Sequence, residues 1–467
     1  MFIQLKRIEL KNFRCFRELT LPLLPDIESS VPDYQKIYSN LTVLVAKNGE
    51  GKTAVLEAIS YLLGCMISRF PQISVPKFKD SDFRQEWTVT SNGLKRSKRD
   101  SYMRLQAFAK TSTSEEITWD MLKKRDASEK VAQSLPPRVN LNQIYKFADG
   151  ILDIENSNNI REELYPVIAY YNTQRAVIWK KPERRRLIRK KLDQYDGYKG
   201  ALEGHLNYKY MIEWISLIED EQRKERERLR SWDYVSKESQ TIQLAIEKLL
   251  PGYRNLRVET KPLDLAIDYY SEDEQVIKSD RIDSQLSDGY KTVLVLLLDI
   301  VSRILRLNSS VDNITPERLL QSPGIVLIDE IDLHLHPFWQ QRVLHDLVVT
   351  FPNIQFIVST HSPQVISGIP KECIRIFSNA DLLPVEEQTQ GVETDTILAS
   401  IFGTEASIQD LEIVQDYNTL LEMLAEQNFS GEAWDALYQK VEKHYGKDFP
   451  PLLGIKLHKD YLSKRKQ

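Results

Sequence analysis

Two adjacent carboxylates, Asp329 and Glu330, follow the apolar run 324–328 in the segment GIVLIDEIDLHLHP. A short β-branched run without polar alternation is typical of a strand buried on both faces of a parallel sheet. Because α/β sheets bind ligands beyond the carboxyl ends of their strands, one carboxylate is placed for Mg²⁺ and the next for a water molecule. A buried strand that merely ends in Asp-Glu is the alternative, and the pair alone does not decide between them.

A glycine-containing loop, AKNGEGKT (46–53), follows the apolar run 41–46 and precedes apolar residues at helical spacing. Strand, glycine loop, Lys-Thr and helix is the context that a phosphate-binding loop requires. Its backbone N–H groups close around phosphate oxygens, and the helix N-terminus adds partial positive charge. Ala46 stands where the first Gly is usual, and we expect tolerance unless that residue needs a positive φ. The residues predicted to bind nucleotide are Asn48, Gly49, Glu50, Gly51, Lys52, which would reach the β- and γ-phosphates, and Thr53, which would bind Mg²⁺.

Two further segments carry polar residues beside buried elements. SQLSDGYKT (284–292) places Ser287 before an apolar, helix-like run with Gly289 nearby, which is typical of an anion site or of an ordinary N-cap. IQFIVSTHSPQVI (354–366) predicts another buried strand, which ends near His361. A single His at a strand end is usually structural. Here it follows the two carboxylates by one helix and one strand, as in neighbouring strands of a doubly wound sheet.

The order AKNGEGKT, LSDGYKT, IVLIDE, IDLHLHP and STHSP resembles the ABC-type ATPase heads of the SMC, RecF and OLD group. The matches are the Walker A loop, the signature motif, the Walker B strand, the D-loop and the switch histidine. The signature reads LSDGY rather than LSGGQ. The segment IELKNFRCFRELTL (8–21) resembles the group's opening strands, which places Arg14 near the nucleotide. The implied fold class is α/β: a P-loop ABC-type head, with a mixed sheet flanked by helices, a helical insertion and a helical C-terminal tail.

The resemblance implies a mechanism in which two heads enclose two ATP molecules. Ser287 and Gly289 of one subunit would act on the ATP held by the Walker A loop of the other. Asp329 would hold Mg²⁺, Glu330 would orient the attacking water, and His361 would sense the γ-phosphate.

A glutamine loop that connects the metal to the helical lobe is also expected in such a head. The segment YPVIAYYNTQRAV (165–177) offers Gln174 for this metal- and nucleotide-proximal role, and Gln85 is the alternative. The residues predicted for the metal are therefore Thr53, Asp329 and Gln174.

Motif positions divide the chain into four predicted parts. Residues 1–175 form the N-terminal part of the head, and 286–380 complete it with the signature, Walker B strand, D-loop and switch histidine. Residues 176–285 are predicted to form a charged, mostly helical insertion, too short for a long coiled-coil arm. Residues 381–467 are predicted to form a helical, partner-binding tail. The tail shows no succession of buried strands with acidic metal ligands, so we expect no nuclease domain in it.

Composition narrows the class of protein. The formal net charge is −4, which gives no global basic pattern of nucleic-acid binding. The three cysteines are widely spaced and predict neither a metal site nor an oxidising compartment. No apolar run reaches the length of a membrane span. A cytoplasmic protein without a membrane partner is therefore expected.

One local run, Lys180–Lys191, has eight basic residues and one acidic residue. A solvated helix whose Arg stems cover apolar neighbours and a strip that contacts nucleic-acid phosphates both fit this pattern. Residues Arg184, Arg185 and Arg186 are the centre of the strip.

The overall pattern most resembles the PtuA-type ATPases of Septu anti-phage defence systems, some of which are linked to retrons. This resemblance implies a homodimer or higher oligomer formed around ATP and a separate HNH nuclease subunit of the PtuB type. In retron forms it also implies a reverse transcriptase and its retron DNA. A RecF-like DNA-repair ATPase is the alternative, and a stand-alone nuclease of the OLD type is less favoured.

Overall fold

A computed structural model describes most of the chain. The described ranges are 1–26, 33–90, 93–112, 115–125, 141–156, 163–176, 194–206, 208–261, 263–311, 313–403, 411–426, 428–429, 431–447 and 449–465. The basic strip Lys180–Lys191 lies outside the described residues, so its role stays a prediction.

The described residues contain fifteen strands. They are β1 (Ile3–Phe13), β2 (Phe16–Pro22), β3 (Leu41–Ala46), β4 (Gln85–Thr90), β5 (Gly93–Arg99), β6 (Tyr102–Thr111), β7 (Glu116–Lys124), β8 (Val167–Tyr171), β9 (Tyr253–Thr260), β10 (Leu263–Tyr270), β11 (Val276–Arg281), β12 (Gly324–Ile328), β13 (Ile354–Thr360), β14 (Ile374–Ser378) and β15 (Asp381–Leu383).

The helices vary from single turns to more than five turns. They are α1 (Asp33–Lys36), α2 (Lys52–Ile67), α3 (Asn142–Asn156), α4 (Tyr208–Leu229), α5 (Lys237–Leu249), α6 (Asp288–Asn308), α7 (Pro316–Leu320), α8 (Pro337–Thr350), α9 (Pro363–Ser367), α10 (Thr394–Ser400), α11 (Glu412–Ala425), α12 (Glu432–Tyr445) and α13 (Pro450–Arg465).

A central sheet orders the predicted site. Within the described residues it has six strands in the order β15-β14-β3-β13-β12-β8, and all neighbours except β14 and β15 are parallel. Strands β3, β8, β12 and β13 are buried along their whole length, as their uninterrupted apolar runs predict for a sheet covered on both faces. The predicted adjacency of β12 and β13 is confirmed by their pairing. The carboxyl ends of these strands therefore lie at one edge.

Helix α2 is buried nearly all round because it lies between two sheets. It contacts β3, β12 and β13 on one side and β6 and β7 of the antiparallel sheet β2-β1-β6-β7 on the other. Trp119 of β7 is fully buried, and its Nε1–H donates to the carbonyl of Leu62 in α2 at 3.0 Å. This packing fixes the helix that starts at Lys52.

The segment predicted as a mostly helical insertion contains a sheet. Strands β9, β10 and β11 pair antiparallel in the order β11-β10-β9, so the prediction of helix is wrong for Tyr253–Arg281. Residues 264–268 of β10 are all buried, including the charged Asp264 and Asp268, which are 5% and 6% exposed. Charged residues inside the strand therefore concealed its burial from the sequence. Helices α4 and α5 agree with the prediction.

The end of the central sheet also differs from the predicted boundary. Strand β15, which starts at Asp381, pairs antiparallel with β14, although the sequence places it in the tail. Strand β14 and the three-residue edge strand β15 are joined by a turn at Asn379 and Ala380, both with positive φ. Such short strands give too little periodicity to be identified from the sequence.

The chain forms two compact units, Met1–Glu393 and Thr394–Gln467. In the second unit α11, α12 and α13 enclose a small core around Leu420, Trp434 and Leu452. Across the described residues no helix combines the length and apolar content needed to cross a bilayer.

Candidate nucleotide site

The loop between β3 and α2 has the form of a phosphate cradle. Gly49 and Gly51 have φ of 85° and 105°, which only glycine adopts without strain. A Cβ on Gly51 would lie 2.5 Å from Cζ of Phe16 and 2.6 Å from Sγ of Cys15, whereas one on Gly49 would meet nothing within 4 Å. Ala46 is the last residue of β3 and keeps extended backbone, so this position does not need the positive φ that would favour glycine. Asn48 and Gly49 are exposed, and Glu50 is half-buried.

Lys52, the first residue of α2, is only 6% exposed. Its ammonium donates to the carbonyls of Ala46 at 2.7 Å and Lys47 at 3.2 Å, so it is held inside the loop. Burial lowers the pKa of Lys52, against the effect of nearby carboxylates, of which Asp329 and Glu330 act most strongly. A bound phosphate would stabilise this buried ammonium, because its negative charge compensates for the hydration that the ammonium loses on burial.

Asp329 is 1% exposed and joins the two motifs. Its Oδ2 accepts from the Thr53 hydroxyl at 2.7 Å, and its Oδ1 accepts from the Ser359 hydroxyl at 2.5 Å. Its N–H donates to the carbonyl of Tyr171 at 2.8 Å. A hydroxyl and a carboxylate oxygen in contact are the hard oxygen ligands that Mg²⁺ takes beside a phosphate, so the residues present fit that ion.

Glu330 is positioned by its backbone. It has φ of 47°, a conformation that costs a non-glycine residue roughly 1–2 kcal/mol. Its N–H donates to the Ser359 hydroxyl at 2.8 Å. Ser359 therefore orders both acidic residues, and its role was missed in the sequence. A hydroxyl in an otherwise apolar strand, directly before Thr360-His361, is the signal that identifies it.

His361 follows β13 at the same edge of the sheet and is half-buried. Burial and the Lys52 ammonium lower the pKa of His361, against the opposing effect of Asp332, Glu330 and Asp329. Its N–H lies 3.3 Å from Oδ1 of Asp332, which also accepts from the Thr360 hydroxyl at 2.5 Å. Asp332 thereby fixes the turn that carries the histidine, a second role that the sequence did not indicate.

Gln174 lies just beyond β8, whose Tyr171 pairs with Ile328. It is exposed, and its N–H donates to Oδ1 of Asn172 at 2.9 Å. The structure thus places Gln174 near the strand end that carries Asp329, and its metal role stays a prediction. The alternative, Gln85, starts β4 and accepts from Nε of Arg99 at 3.3 Å.

Arg14 lies in the turn between β1 and β2 with φ of 50°. Its guanidinium donates to Oδ1 of Asp82 at 3.0 and 2.9 Å and forms an ion pair with Glu57 of α2. Burial opposes its charge, but Glu57 and Asp82 together raise the pKa of Arg14. The predicted contact between Arg14 and the nucleotide is untested.

The signature residues belong to a different surface. Ser287 is the N-cap of α6, but its hydroxyl makes no capping hydrogen bond to that helix. A Cβ on Gly289 would lie 3.4 Å from the carbonyl oxygen of His334, and Tyr290 meets Trp339 edge-to-face at 5.1 Å between centroids. The start of α6 therefore packs against the D-loop turn 332–337 of its own chain. The structure brings together Lys52, Thr53, Asp329, Glu330 and His361, and it places Ser287 and Gly289 at this second surface.

Two family models match the chain. The family described as "AAA domain" matches residues 7–253, more than half of the chain, and one described as "AAA domain, putative AbiEii toxin, Type IV TA system" matches 261–367. The chain belongs to the AAA-domain family. The family match and the parallel sheet flanked by helices confirm the predicted α/β P-loop ATPase, and the relatives described next agree with the predicted similarity to PtuA-type ATPases.

Individual proteins extend the comparison. The AAA-domain chain is 27% identical to the retron Ec83 probable ATPase of Escherichia coli, over 96% of this chain and 85% of that protein. It is 32% identical to the Septu protein PtuA of Bacillus mycoides (strain KBAB4) over 34% of this chain and 22% of that protein. A crystal structure of the SMC head bound to the C-winged helix domain of ScpA aligns with a TM-score of 0.39 and 17% identity, covering 82% of this chain and 98% of that chain.

Proposed function

We propose that this chain is the ATP-hydrolysing subunit of a prokaryotic anti-phage defence complex, which dimerises around ATP and controls a separate HNH-type nuclease. The observation that carries the ATPase part is the contact of Thr53 with Asp329, beside buried Lys52, at the edge of a parallel sheet. The similarity to a retron ATPase over 96% of the chain supports the defence role.

The residues have distinct roles in hydrolysis. The loop 48–53 binds the phosphates of ATP, and Lys52 exchanges its carbonyl partners for phosphate oxygens. Thr53 and Asp329, with Gln174, would hold Mg²⁺, which neutralises charge on the phosphates when bound. Glu330, held at positive φ, orients and polarises the attacking water. The neutral imidazole of His361 senses the γ-phosphate without adding a second positive charge beside Lys52.

The dimeric part of the proposal rests on the exposed start of α6. Thr53 contacts Asp329, and Lys52 is held inside the loop 46–53, whereas Ser287 is exposed and its hydroxyl makes no capping hydrogen bond to α6. A hydroxyl and backbone N–H groups at a helix start are suited to an anion. We therefore assign Ser287 and Gly289 to the ATP of a second copy, so that each composite site needs two chains.

Partner control is assigned to the tail. Leu453, Leu457 and Tyr461 of α13 recur every four residues and thus lie on one helix face, with Leu457 70% exposed. An apolar stripe of this kind is typical of a contact surface. We propose that it binds the nuclease subunit, and that this chain has no nuclease activity of its own. Reverse transcriptase and retron DNA would complete a retron-linked complex.

The experiment uses Glu330→Gln in the full chain. It should keep ATP binding, lose more than about 99% of turnover and accumulate an ATP-dependent dimer, measured by light scattering and phosphate release. Turnover like that of the parent would show that the catalytic assignment is wrong. The control Lys52→Ala should lose ATP binding.

A mixing experiment tests the composite site. Ser287→Arg and Lys52→Ala should each be inactive alone, because each breaks both sites of a symmetric dimer. An equimolar mixture should regain about a quarter of parental turnover, since half of the dimers are mixed and each mixed dimer has one intact site. No recovery would exclude action between subunits. Control of the nuclease is tested by co-expressing an HNH subunit with each variant. If Glu330→Gln leaves its nuclease activity unchanged, ATP hydrolysis does not control the nuclease, and the ATPase assignment still stands.

A further inference from the structure

The turn between α4 and α5 presents an unusual side chain. Trp232 is 80% exposed, whereas the other tryptophans with described side chains, Trp119, Trp214, Trp339 and Trp434, are at most 4% exposed. Leu229 and Val235, on either side of it, are 46% and 40% exposed. We call Leu229–Val235 the α4–α5 tip. Water contact with a whole indole ring is costly in a folded protein, so a ring presented in this way is suited to a ligand.

The tip is a defined structure. Ser231 N–H donates to the carbonyl of Arg226 at 3.1 Å, and Nε of Arg226 donates to the carbonyl of Tyr234 at 2.7 Å. Ser236 N–H donates to Oε1 of Gln222 at 2.8 Å, and the Ser236 hydroxyl caps α5. Arg230, with φ of 51°, stands at a helix end where glycine is usual. The ring of Trp232 is therefore offered from a fixed turn.

Cations outnumber carboxylates over the tip and the adjoining end of α4. Residues 223–235 carry five cations and three carboxylates: Arg223, Lys224, Arg226, Arg228 and Arg230 against Glu225, Glu227 and Asp233. Arg223 pairs with Asp220 and Arg228 with Glu225. Within the described residues, no ion pair involves Lys224 or Arg230, and both are exposed. Two exposed cations, one near the end of α4 and one within the tip, are therefore available to a polyanion.

We propose that the α4–α5 tip binds single-stranded nucleic acid, with one unpaired base stacked on Trp232 and backbone phosphates held by Lys224 and Arg230. An aromatic platform beside cations is the combination that single strands require, because every base has a flat face and every nucleotide a phosphate. A duplex keeps its bases stacked and offers only phosphates. The tip is separate in sequence from the strip Lys180–Lys191. The inference deepens the partner side of the proposed function.

The test measures fluorescence anisotropy of a labelled oligothymidylate of about 20 nucleotides with the full chain. Trp232→Ala should weaken binding roughly tenfold, consistent with ~1–3 kcal/mol for one stacked base, and Trp232→Phe should retain most of the affinity. The same Trp232→Ala change should leave affinity for a duplex of equal length unaltered. ATP turnover should be unchanged in both variants, because the tip is outside the nucleotide site.

Salt dependence tests the cations. Lys224→Gln combined with Arg230→Gln should flatten the slope of log affinity against log salt by about 1.4, since a single strand loses about 0.7 for each phosphate contact. The control Lys209→Gln removes an exposed cation from the other end of α4, roughly 30 Å away, and should leave the slope unchanged.

Three outcomes would overturn the inference. They are absence of oligonucleotide binding by the parent, equal affinity of Trp232→Ala and the parent, and equal loss for single strand and duplex. If Trp232→Ala keeps oligonucleotide binding but no longer co-purifies with the nuclease subunit, the tip binds a protein and the inference is wrong. None of these results changes the outcome of the Glu330→Gln experiment, so the two proposals fail separately.

Discussion

Ser359 shows how single residues create the site. Its hydroxyl donates to Asp329 and accepts from the Glu330 N–H, so one side chain fixes the orientation of two carboxylates. Without this hydroxyl, neither carboxylate would be held in a fixed orientation by the neighbouring strand. Glu330 and His334, both at positive φ, give the polypeptide a sharp bend directly after β12. Packing at the edge of the sheet holds both residues in these unfavourable conformations.

His361 provides a prediction at the residue scale. Burial and Lys52 lower its pKa in the folded protein, so the unfolded chain takes up the proton at a higher pH. The stability contributed by its neutral form is then complete above the unfolded pKa of about 6.5 and is lost as the pH falls through the folded value. The measurement is urea unfolding without nucleotide. The free energy of unfolding of the parent minus that of His361→Gln should be constant above about pH 7.5 and should decrease below about pH 6.5. A difference that grows on acidification would contradict this sign.

At the scale of elements, α6 connects the two surfaces of the site. Ser287 is at its start, and three turns later Oδ2 of Asp299 accepts from the Tyr171 hydroxyl and from Nε of Arg303, both at 2.7 Å. The backbone carbonyl of Tyr171 in turn accepts from the Asp329 N–H. Burial and Asp299 raise the pKa of Tyr171, so its hydroxyl stays protonated and donates. A continuous hydrogen-bonded path therefore runs from the signature helix to Asp329.

Tyr171→Phe removes only the hydroxyl from this path, and Asp299 keeps its pairing with Arg303. We expect a loss of stability of ~1–3 kcal/mol and a fall in kcat of about tenfold, with ATP affinity nearly unchanged, because the loop 48–53 is intact. Chemical denaturation, steady-state turnover and nucleotide titration measure the three effects.

Tyr208→Phe is the matched control for the α6 path. The Tyr208 hydroxyl, in α4, donates to Oδ1 of Asp264, in β10, at 2.6 Å, so this substitution also removes a buried hydroxyl that is bonded to a carboxylate. It should lower stability similarly and leave kcat unaffected. Equal effects of the two substitutions on kcat would mean that the Tyr171 hydroxyl contributes only general stability.

At the scale of the whole molecule, the chain forms two compact units. Every predicted nucleotide residue lies in Met1–Glu393, and the second unit has its own core. Trp434 is 1% exposed in that core, where its ring stacks with Tyr438 and meets Phe429 edge-to-face. The second unit should therefore unfold without destroying the nucleotide site.

Trp434→Ala tests this division in the full chain. It should cost the second unit ~3–5 kcal/mol and expose residues 411–465 to hydrogen exchange, while ATP affinity stays within about twofold of the parent. The control Trp119→Ala removes an equally buried indole that donates to α2, and it should weaken ATP binding. If Trp434→Ala abolishes ATP binding, the units are not energetically separate.

The sequence alone determined the phosphate-binding loop 46–53, the buried strands that precede Asp329 and His361, and the helix that starts after Ser287. Each is identified by short-range patterns: glycine in a phosphate loop, uninterrupted apolar runs, and a hydroxyl before a helix. The hairpins of Tyr253–Arg281 and the edge strand β15 were missed, because their few buried positions are diluted by charged residues. The tertiary structure alone decided that Ser359 unites the two carboxylates and that Tyr171 connects them to α6. Those contacts join residues 30 and 128 positions apart, and such pairings depend on how strands and helices pack, which no local pattern records.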